Sequence, residues 1–223
     1  MTRTHRHHED LLGAAVTEPA DGTASVLRPG QHGAGAAAIA AGHADYPTFR
    51  HLFPDPRRRA RALQPFFAAT VRDAIPFGSA LAVWHGSLVA ATAVWLAPGR
   101  FPWSAGRKLA ATAGLTRVLA ADWRAFPAFI RCGANVERAH PTEPHWYLEV
   151  LSVRPEHQRQ GLGSRLVTPV LERADRDGVP CYLETADPAN VDFYQRFGFE
   201  VVDPALDVIP GGPTLTTMRR PTP

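Results

Sequence analysis

Lysine is almost missing from this chain: Lys108 is the only one among 24 Lys and Arg residues. The arginines are scattered and the formal charge is only +3, so no nucleic-acid partner is expected. The densest run, Arg57-Arg58-Arg59 with Arg61, falls at the start of a predicted helix and reads as a solvated face. Cysteine is nearly as scarce. Cys132 and Cys181 lie far apart without ligand-like neighbours, which suits a reducing, cytoplasmic setting. No apolar run is long enough to span a membrane, and none is expected as a partner. The stretch Met1 to Asp10 has charges with no apolar core behind them, so it does not read as a signal peptide. Residues 1–23 are polar and aperiodic and are expected to form a mobile tail. His5, His7 and His8 there read as solvated, and no metal is expected.

What is present fits one domain over residues 24–223, with 45% hydrophobic and 20% charged residues. Ala24 to Arg28 reads as a short strand and Gly33 to Ala41 as an alanine-rich helix. Pro56 opens a second helix to about Asp73, with Leu63, Phe66, Phe67 and Val71 inward. Gly86-Ser87 between two apolar runs, Ser79–His85 and Leu88–Leu96, signals a hairpin. Ala105 to Val136 reads as two helices broken at Pro127, the second carrying Trp123, Phe126, Phe129 and Ile130. His145 to Val153 is a buried strand. A helix from about Leu162 to Asp177, a strand Val179–Thr185, a short helix Asn190–Phe197 and two closing strands follow. This order predicts an α/β (α+β) fold, a mixed central sheet of about six to seven strands with helices on both faces.

Between the His145–Val153 strand and the next helix stands a polar turn, Gln158-Arg159-Gln160-Gly161-Leu162-Gly163-Ser164. A strand–turn–helix junction of this kind aims free backbone N–H groups and the positive end of the helix dipole at one point, a site for phosphate. Gly161 and Gly163, with no Cβ, would let an anion approach the backbone. The turn lacks the lysine of a nucleotide-triphosphate loop and the third glycine of a dinucleotide fingerprint. Its spelling, Gln158-x-x-Gly161-x-Gly163, resembles the acetyl-CoA-binding signature of the GNAT-type N-acetyltransferases. A second block, Asn190, Phe193-Tyr194 and Gly198-Phe199, resembles that family's later conserved segment. Ala44-Asp-Tyr-Pro47, Glu143-Pro-His-Trp146 and Pro210-Gly-Gly-Pro213 are similar to its puromycin-acetylating branch, whereas Gly99 to Thr142 matches poorly.

The resemblance implies acetyl transfer from acetyl-CoA to a primary amine by direct attack in a ternary complex. It implies that Gln158 to Ser164 hold the pyrophosphate, that the backbone of Leu151, Ser152 and Val153 pairs with the pantetheine arm, and that Asn190 bonds the same arm. Tyr194 would protonate the leaving thiolate. For the base, two glutamates compete. Glu184 matches a family glutamate, and Glu149 lies inside a strand, where a carboxylate is costly unless used. Glu184 is favoured, with Glu149 assisting or binding the ammonium; alternation would put Glu149 on one strand face with Tyr147 and Leu151. Tyr46, Trp146 and Tyr147 are expected to line the acceptor side. The expected partner is a small-molecule amine, possibly an aminonucleoside, met by a monomer or homodimer. A protein or peptide acetyltransferase and a non-catalytic acyl-CoA-binding module are the alternatives.

Overall fold

The computed structural model describes residues 21–222. The tail expected over residues 1–23 falls outside them except for Asp21–Thr23. There, Gly22 N–H donates to the Trp84 carbonyl at 3.0 Å and Asp21 accepts from Gly86 N–H at 3.0 Å. Asp21 and Gly22 are therefore fastened to a hairpin.

Seven strands form one sheet: β1 (Ala24–Val26), β2 (Ala80–His85), β3 (Leu88–Leu96), β4 (Trp146–Val153), β5 (Cys181–Thr185), β6 (Glu200–Leu206) and β7 (Leu215–Arg220). Their order is β1-β2-β3-β4-β5-β7-β6, and only β4 and β5 run parallel. Helices α1 (His32–Gly42), α2 (Pro47–Leu52) and α3 (Pro56–Ala74) precede the hairpin; α4 (Ala105–Ala110), α5 (Thr112–Ala121) and α6 (Phe126–Ala139) follow it. α7 (Leu162–Asp177) and α8 (Ala189–Gln195) complete the set. Leu162, Leu166, Val167, Val170, Leu171 and Ala174 of α7 pack with Trp146, Leu148, Leu183 and Trp95 on one sheet face. On the other face α1 and α3 bury Ile39, Leu63, Phe67 and Val71 against Val94, Tyr147 and Val150. These stripes are the i, i+3, i+4 patterns of helices with one buried side.

α3 begins where Asp55 accepts from the backbone N–H groups of Arg57 and Arg58 at 2.8 and 2.9 Å, with Pro56 in the first turn. Arg57, Arg58 and Arg61 face solvent as expected, but Arg59 turns inward. It donates to the Phe53 carbonyl at 2.8 Å and contacts Asp45 at 3.4 Å, locking α2 onto α3.

The segment after β3 holds three helices, where two were expected. Pro127 lies in the first turn of α6, where a missing N–H is no loss, so it starts a helix and does not break one. Trp123 falls between α5 and α6 and is exposed. Val118, Phe129 and Cys132 join a third cluster with Phe53, Ala62 and Leu215. This three-helix segment thereby becomes a wall beside the carboxyl ends of β4 and β5.

The central strand contains a β-bulge. Val94 pairs with Val150 and Trp95 with Leu148, which leaves Glu149 as an extra residue with no partner in β3. Alternation is reset there: Trp146, Leu148, Leu151 and Val153 face α7, while Tyr147 and Val150 face α1 and α3. Tyr147 and Leu151 are thus on opposite faces, contrary to the expectation of one shared face. β4 and β5 pair only from Trp146↔Cys181 to Leu148↔Leu183 and separate beyond that point, opening a cleft at the bulge.

Candidate active site

One half of the cleft is made of backbone. Arg154 N–H donates to the Ala90 carbonyl of β3 at 2.9 Å. Strand alternation then turns the N–H groups of Leu151 and Val153 the other way, toward the gap that β5 has left. Gln158 Nε2 donates to the Val153 carbonyl at 3.3 Å, tying the following turn to this strand end. Ser152 differs: its side chain is buried and bonds the Ile39 carbonyl and His43 Nδ1 at 3.3 and 3.2 Å, and the same alternation turns its N–H toward Thr92 of β3, away from the gap.

The turn itself is an anion cradle. Arg159 (φ 59°) and Gly161 (φ 77°) both occupy the left-handed region, and no side chain caps α7. The first intrahelical bond runs from Arg165 N–H to the Gly161 carbonyl, so the N–H groups of Leu162, Gly163 and Ser164 have no helical partner. Gln158, Arg159, Gln160 and Gly161 are exposed. The two glycines have different tasks. A Cβ on Gly161 would meet nothing within 4 Å, so its role is the turn conformation. A Cβ on Gly163 would lie 3.3 Å from Phe193 Cζ and 3.7 Å from Leu151 Cδ2. Gly163 therefore also permits close packing against α8.

Beyond the turn, Tyr46 and Asn190 bind the end of β5. Ala186 N–H donates to the Tyr46 hydroxyl at 2.6 Å, and that hydroxyl in turn lies 3.1 Å from Thr185 Oγ1. Asn190 Nδ2 donates to the same Thr185 oxygen at 3.2 Å. Tyr194 is buried and borders the adjoining cavity; among the described residues its hydroxyl has no hydrogen-bond partner. Burial pushes its phenol well above the usual value, so it stays protonated.

The other half of the cleft is a cavity of about 540 Å³ under α2, α3 and the three-helix segment. Tyr46, Phe49, Phe66, Phe67, Phe101 and Trp103 supply its aromatic walls. Tyr147, Glu149, Glu184, Asn190 and Tyr194 also line it. Trp146 does not take part. It is buried among the α7 contacts on the opposite sheet face, because the residue before Tyr147 must point the other way. Among the described residues, three buried polar atoms of the lining have no hydrogen-bond partner: Glu149 Oε2, Thr48 Oγ1 and Trp103 Nε1.

The two carboxyls sit in different surroundings. Burial, reinforced by the Asp73 charge, pushes Glu149 up to about 8; Arg107 opposes the shift and Glu184 adds to it. Arg107 is itself held by Asp73 through paired contacts of its Nε at 2.8 and 3.0 Å. Glu184 is 6% exposed at its side chain and faces His140, whose Nδ1 is 3.5 Å from Oε1. Burial, with the Glu184 charge beside them, raises the Tyr147 and Tyr182 phenols. His140 was not singled out in the sequence, since it lies in the stretch with the poorest resemblance. Its only signal there was a position just before the central strand, near His145.

N–H groups without helical partners at the start of α7, a strand opened by a bulge, and a cavity lined by two carboxyls and a buried tyrosine occur together here. A model of the acetyltransferase (GNAT) family matches residues 47–199. The chain belongs to this family. Its curated relatives match over short stretches. One is an uncharacterised N-acetyltransferase of Schizosaccharomyces pombe, 35% identical over 54 residues, which are 24% of this chain and 22% of that protein. Another is N-alpha-acetyltransferase 50 of Danio rerio, 28% identical over 61 residues, 26% of this chain and 36% of that protein. These alignments span only a fifth to about a third of the relatives. Solved GNAT structures match over nearly the whole length. A Corynebacterium glutamicum protein described as histone acetyltransferase HPA2 and related acetyltransferase superposes with a TM-score of 0.65 at 19% identity, covering 90% of this chain and 96% of that one. Arylalkylamine N-acetyltransferase 2 of Aedes aegypti gives 0.54 at 14%, covering 90% and 98%. The fold is the GNAT fold.

Proposed function

We propose that the protein transfers the acetyl group of acetyl-CoA to a primary amine on a small molecule with an apolar, partly aromatic body. The observation that carries this reading is the pair of carboxyls, Glu149 and Glu184, lining an aromatic cavity together with the part of β4 that has separated from β5. Acetyl-CoA would supply an activated thioester. The N–H groups at the start of α7 fit its pyrophosphate, and the outward N–H groups of Leu151 and Val153 fit the pantetheine arm and the thioester oxygen.

In the acceptor site, Glu149 holds the incoming ammonium. A cation beside it restores the carboxylate that burial suppresses. Glu184 takes the proton, because an aliphatic ammonium with a pKa of about 10 is otherwise mostly unreactive at neutral pH. Tyr194, kept protonated by burial, donates to the departing thiolate. Thr48 Oγ1 and Trp103 Nε1 leave room for one further polar group on the acceptor.

The family resemblance points to an aminonucleoside such as puromycin, an aminoacyl amine with an aromatic ring. Arylalkylamine and polyamine N-acetyltransferases among the similar structures act, by their names, on small amines. A peptide acceptor draws support from the short similarity to N-alpha-acetyltransferase 50. The cavity favours the small molecule, because α4–α6 contribute Lys108, Leu115, Phe129 and Glu137 to its lining, where a peptide groove would stay open. Thiol release and product mass should be followed with acetyl-CoA and a panel of 2-phenylethylamine, puromycin, agmatine, an aminoglycoside and an N-terminal peptide. The expected order of kcat/KM places puromycin and 2-phenylethylamine above the polycations and the peptide. The reverse order removes the aromatic small-molecule reading, and acetyl-CoA binding without thiol release for any amine removes the enzyme reading.

A further inference from the structure

His43 brings an imidazole to a cavity wall made mostly of aromatic and aliphatic side chains. It is the first residue after α1, and Gly42 before it lets the helix end directly on β4. A Cβ on Gly42 would collide with Ser152 Oγ and lie 2.7 Å from the Val153 carbonyl oxygen. Three residues after His43, the Tyr46 hydroxyl holds Ala186 and Thr185. Residues 43–46 therefore span the split, tied to β4 through Ser152 and to the end of β5 through Tyr46.

The ring is oriented from two elements. His43 Nδ1 lies 3.2 Å from the Ile39 carbonyl of α1 and 3.2 Å from Ser152 Oγ of β4. Ser152 Oγ lies in turn 3.3 and 3.5 Å from the Ile39 and Ala38 carbonyls. A carbonyl only accepts, so the arrangement that satisfies every contact puts one hydrogen on Nδ1 and sends the hydroxyl hydrogen to the α1 carbonyls. Tyr46 and Phe67 pack on the ring at 4.9 and 5.4 Å between centroids. With Nδ1 turned into the protein, the opposite edge of the ring, which carries Nε2, is the edge left to meet the cavity. Burial lowers the ring to about 4 and so keeps it neutral. Nε2 is then bare, an acceptor with no hydrogen-bond partner among the described residues.

We propose that His43 is a specificity residue, and that the acceptor carries a hydroxyl or amide N–H close to its amine, which donates to His43 Nε2. The proposal rests on the acetyl-transfer reading above and narrows its substrate class. A bare ring nitrogen only accepts, so the matching group on the ligand must be a donor. Trp103 Nε1 serves the opposite kind of group, since an indole N–H only donates. Ser152, to which the ring is tied, stands between Leu151 and Val153, whose N–H groups fit the donor arm. His43 therefore stands where donor and acceptor meet, and the group it binds lies near the reacting amine. A plain arylalkylamine would leave Nε2 unpaired and away from water, the situation in which a polar site rejects an analogue lacking one hydroxyl or N–H. Vicinal amino alcohols and aminoacyl amides supply the missing donor. His43 orients such an acceptor and takes no proton from it.

Two measurements on the full-length chain test this role. The first needs no turnover: nitrogen-15 spectra of histidine-labelled protein should show His43 as the neutral Nδ1–H tautomer. Adding 2-amino-1-phenylethanol or phenylalanine amide should shift its Nε2 signal, and 2-phenylethylamine should leave it in place. An Nε2–H tautomer, or the same response to all three amines, overturns the proposal. The second compares kcat/KM for these amines with acetyl-CoA in the parent and in His43→Phe, after thermal melting has verified that the variant folds. The parent should favour a donor-bearing amine over 2-phenylethylamine by about tenfold or more, and His43→Phe should erase that preference with KM for acetyl-CoA unchanged. No preference in the parent, or a preference that survives in His43→Phe, overturns the proposal. An equal loss for all three amines overturns it too, since the ring would then be receiving the ammonium itself. Absence of thiol release with every amine instead removes the acetyl-transfer reading, and the Nε2 response in the spectra judges His43 alone.

Discussion

Glu149→Gln should make the free protein more stable, but only on the alkaline side. Burial and Asp73 push this carboxyl from near 4.5 up to about 8. Between those values the folded chain keeps a proton that the unfolded chain has lost, so stability falls as pH rises through the window. Each pH unit costs about 1.4 kcal/mol for a group with no relief, or nearly 5 kcal/mol across the whole window as an upper bound. The side chain borders a cavity that admits water, so about 1–3 kcal/mol is the expected gain for the glutamine at pH 8.5. For a chain of this size that is a rise of roughly 2–10 °C in Tm. His43 produces an opposing slope at lower pH. Burial lowers it to about 4 from 6.5, so its contribution is present above pH 6.5 and is lost as pH falls toward 4. Between about pH 4.5 and 6.5 the two slopes oppose each other in the parent curve. The assay is the difference in Tm between Glu149→Gln and parent from pH 5 to pH 9, in which the His43 contribution cancels. A small gap at pH 5 that widens steadily up to about pH 8 and levels off beyond it is expected. Parallel curves over the whole range would refute the assignment of a suppressed charge at Glu149.

Two further outcomes follow from the donor side. Tyr194→Phe should lower kcat by about 10²-fold while calorimetry shows acetyl-CoA affinity changed by less than about twofold, as for a lost proton donor. Gly161→Ala places a Cβ at φ 77°, a strain of roughly 1–2 kcal/mol, and should weaken acetyl-CoA binding with little effect on α8. Gly163→Ala should instead disturb Phe193 and lower Tm, because its Cβ would press on that ring; equal effects of the two changes on affinity would contradict the division of labour between the glycines.

Much of this layout is legible in the residues because its parts are local. A two-residue glycine turn announces the β2–β3 hairpin, and the strand–turn–helix around Gly161 announces the cradle; both depend on backbone conformations that few residues adopt. The bulge is different. Trp146 to Val153 is apolar on both faces, so alternation carries no marker of the extra residue at Glu149. The side-chain directions of Leu151 and Ser152 beyond it were equally hidden. Trp146 looked like a pocket aromatic because an apolar ring suits either sheet face, and only pairing decides which one it takes. His140 was invisible for a third reason: its partners Glu184, His145 and Tyr182 come together only through the β4–β5 pairing. The three-helix segment was misdivided because Pro127 can end one helix or begin another.

The bulge also says how little separates this sheet from an inert one. Leu148 and Val150 pair with adjacent residues of β3, so a strand without Glu149 would run straight through, with every side chain on the face it now occupies. Such a strand could pair with β5 beyond Leu183 and close the gap where Leu151 and Val153 now offer their N–H groups. One inserted amino acid thus both unzips the sheet and supplies the carboxyl at the opening. In the proposed reaction the donor slot and the acceptor charge therefore depend on one position: replacing the glutamate would remove the charge alone, whereas excising the residue would remove both at a stroke.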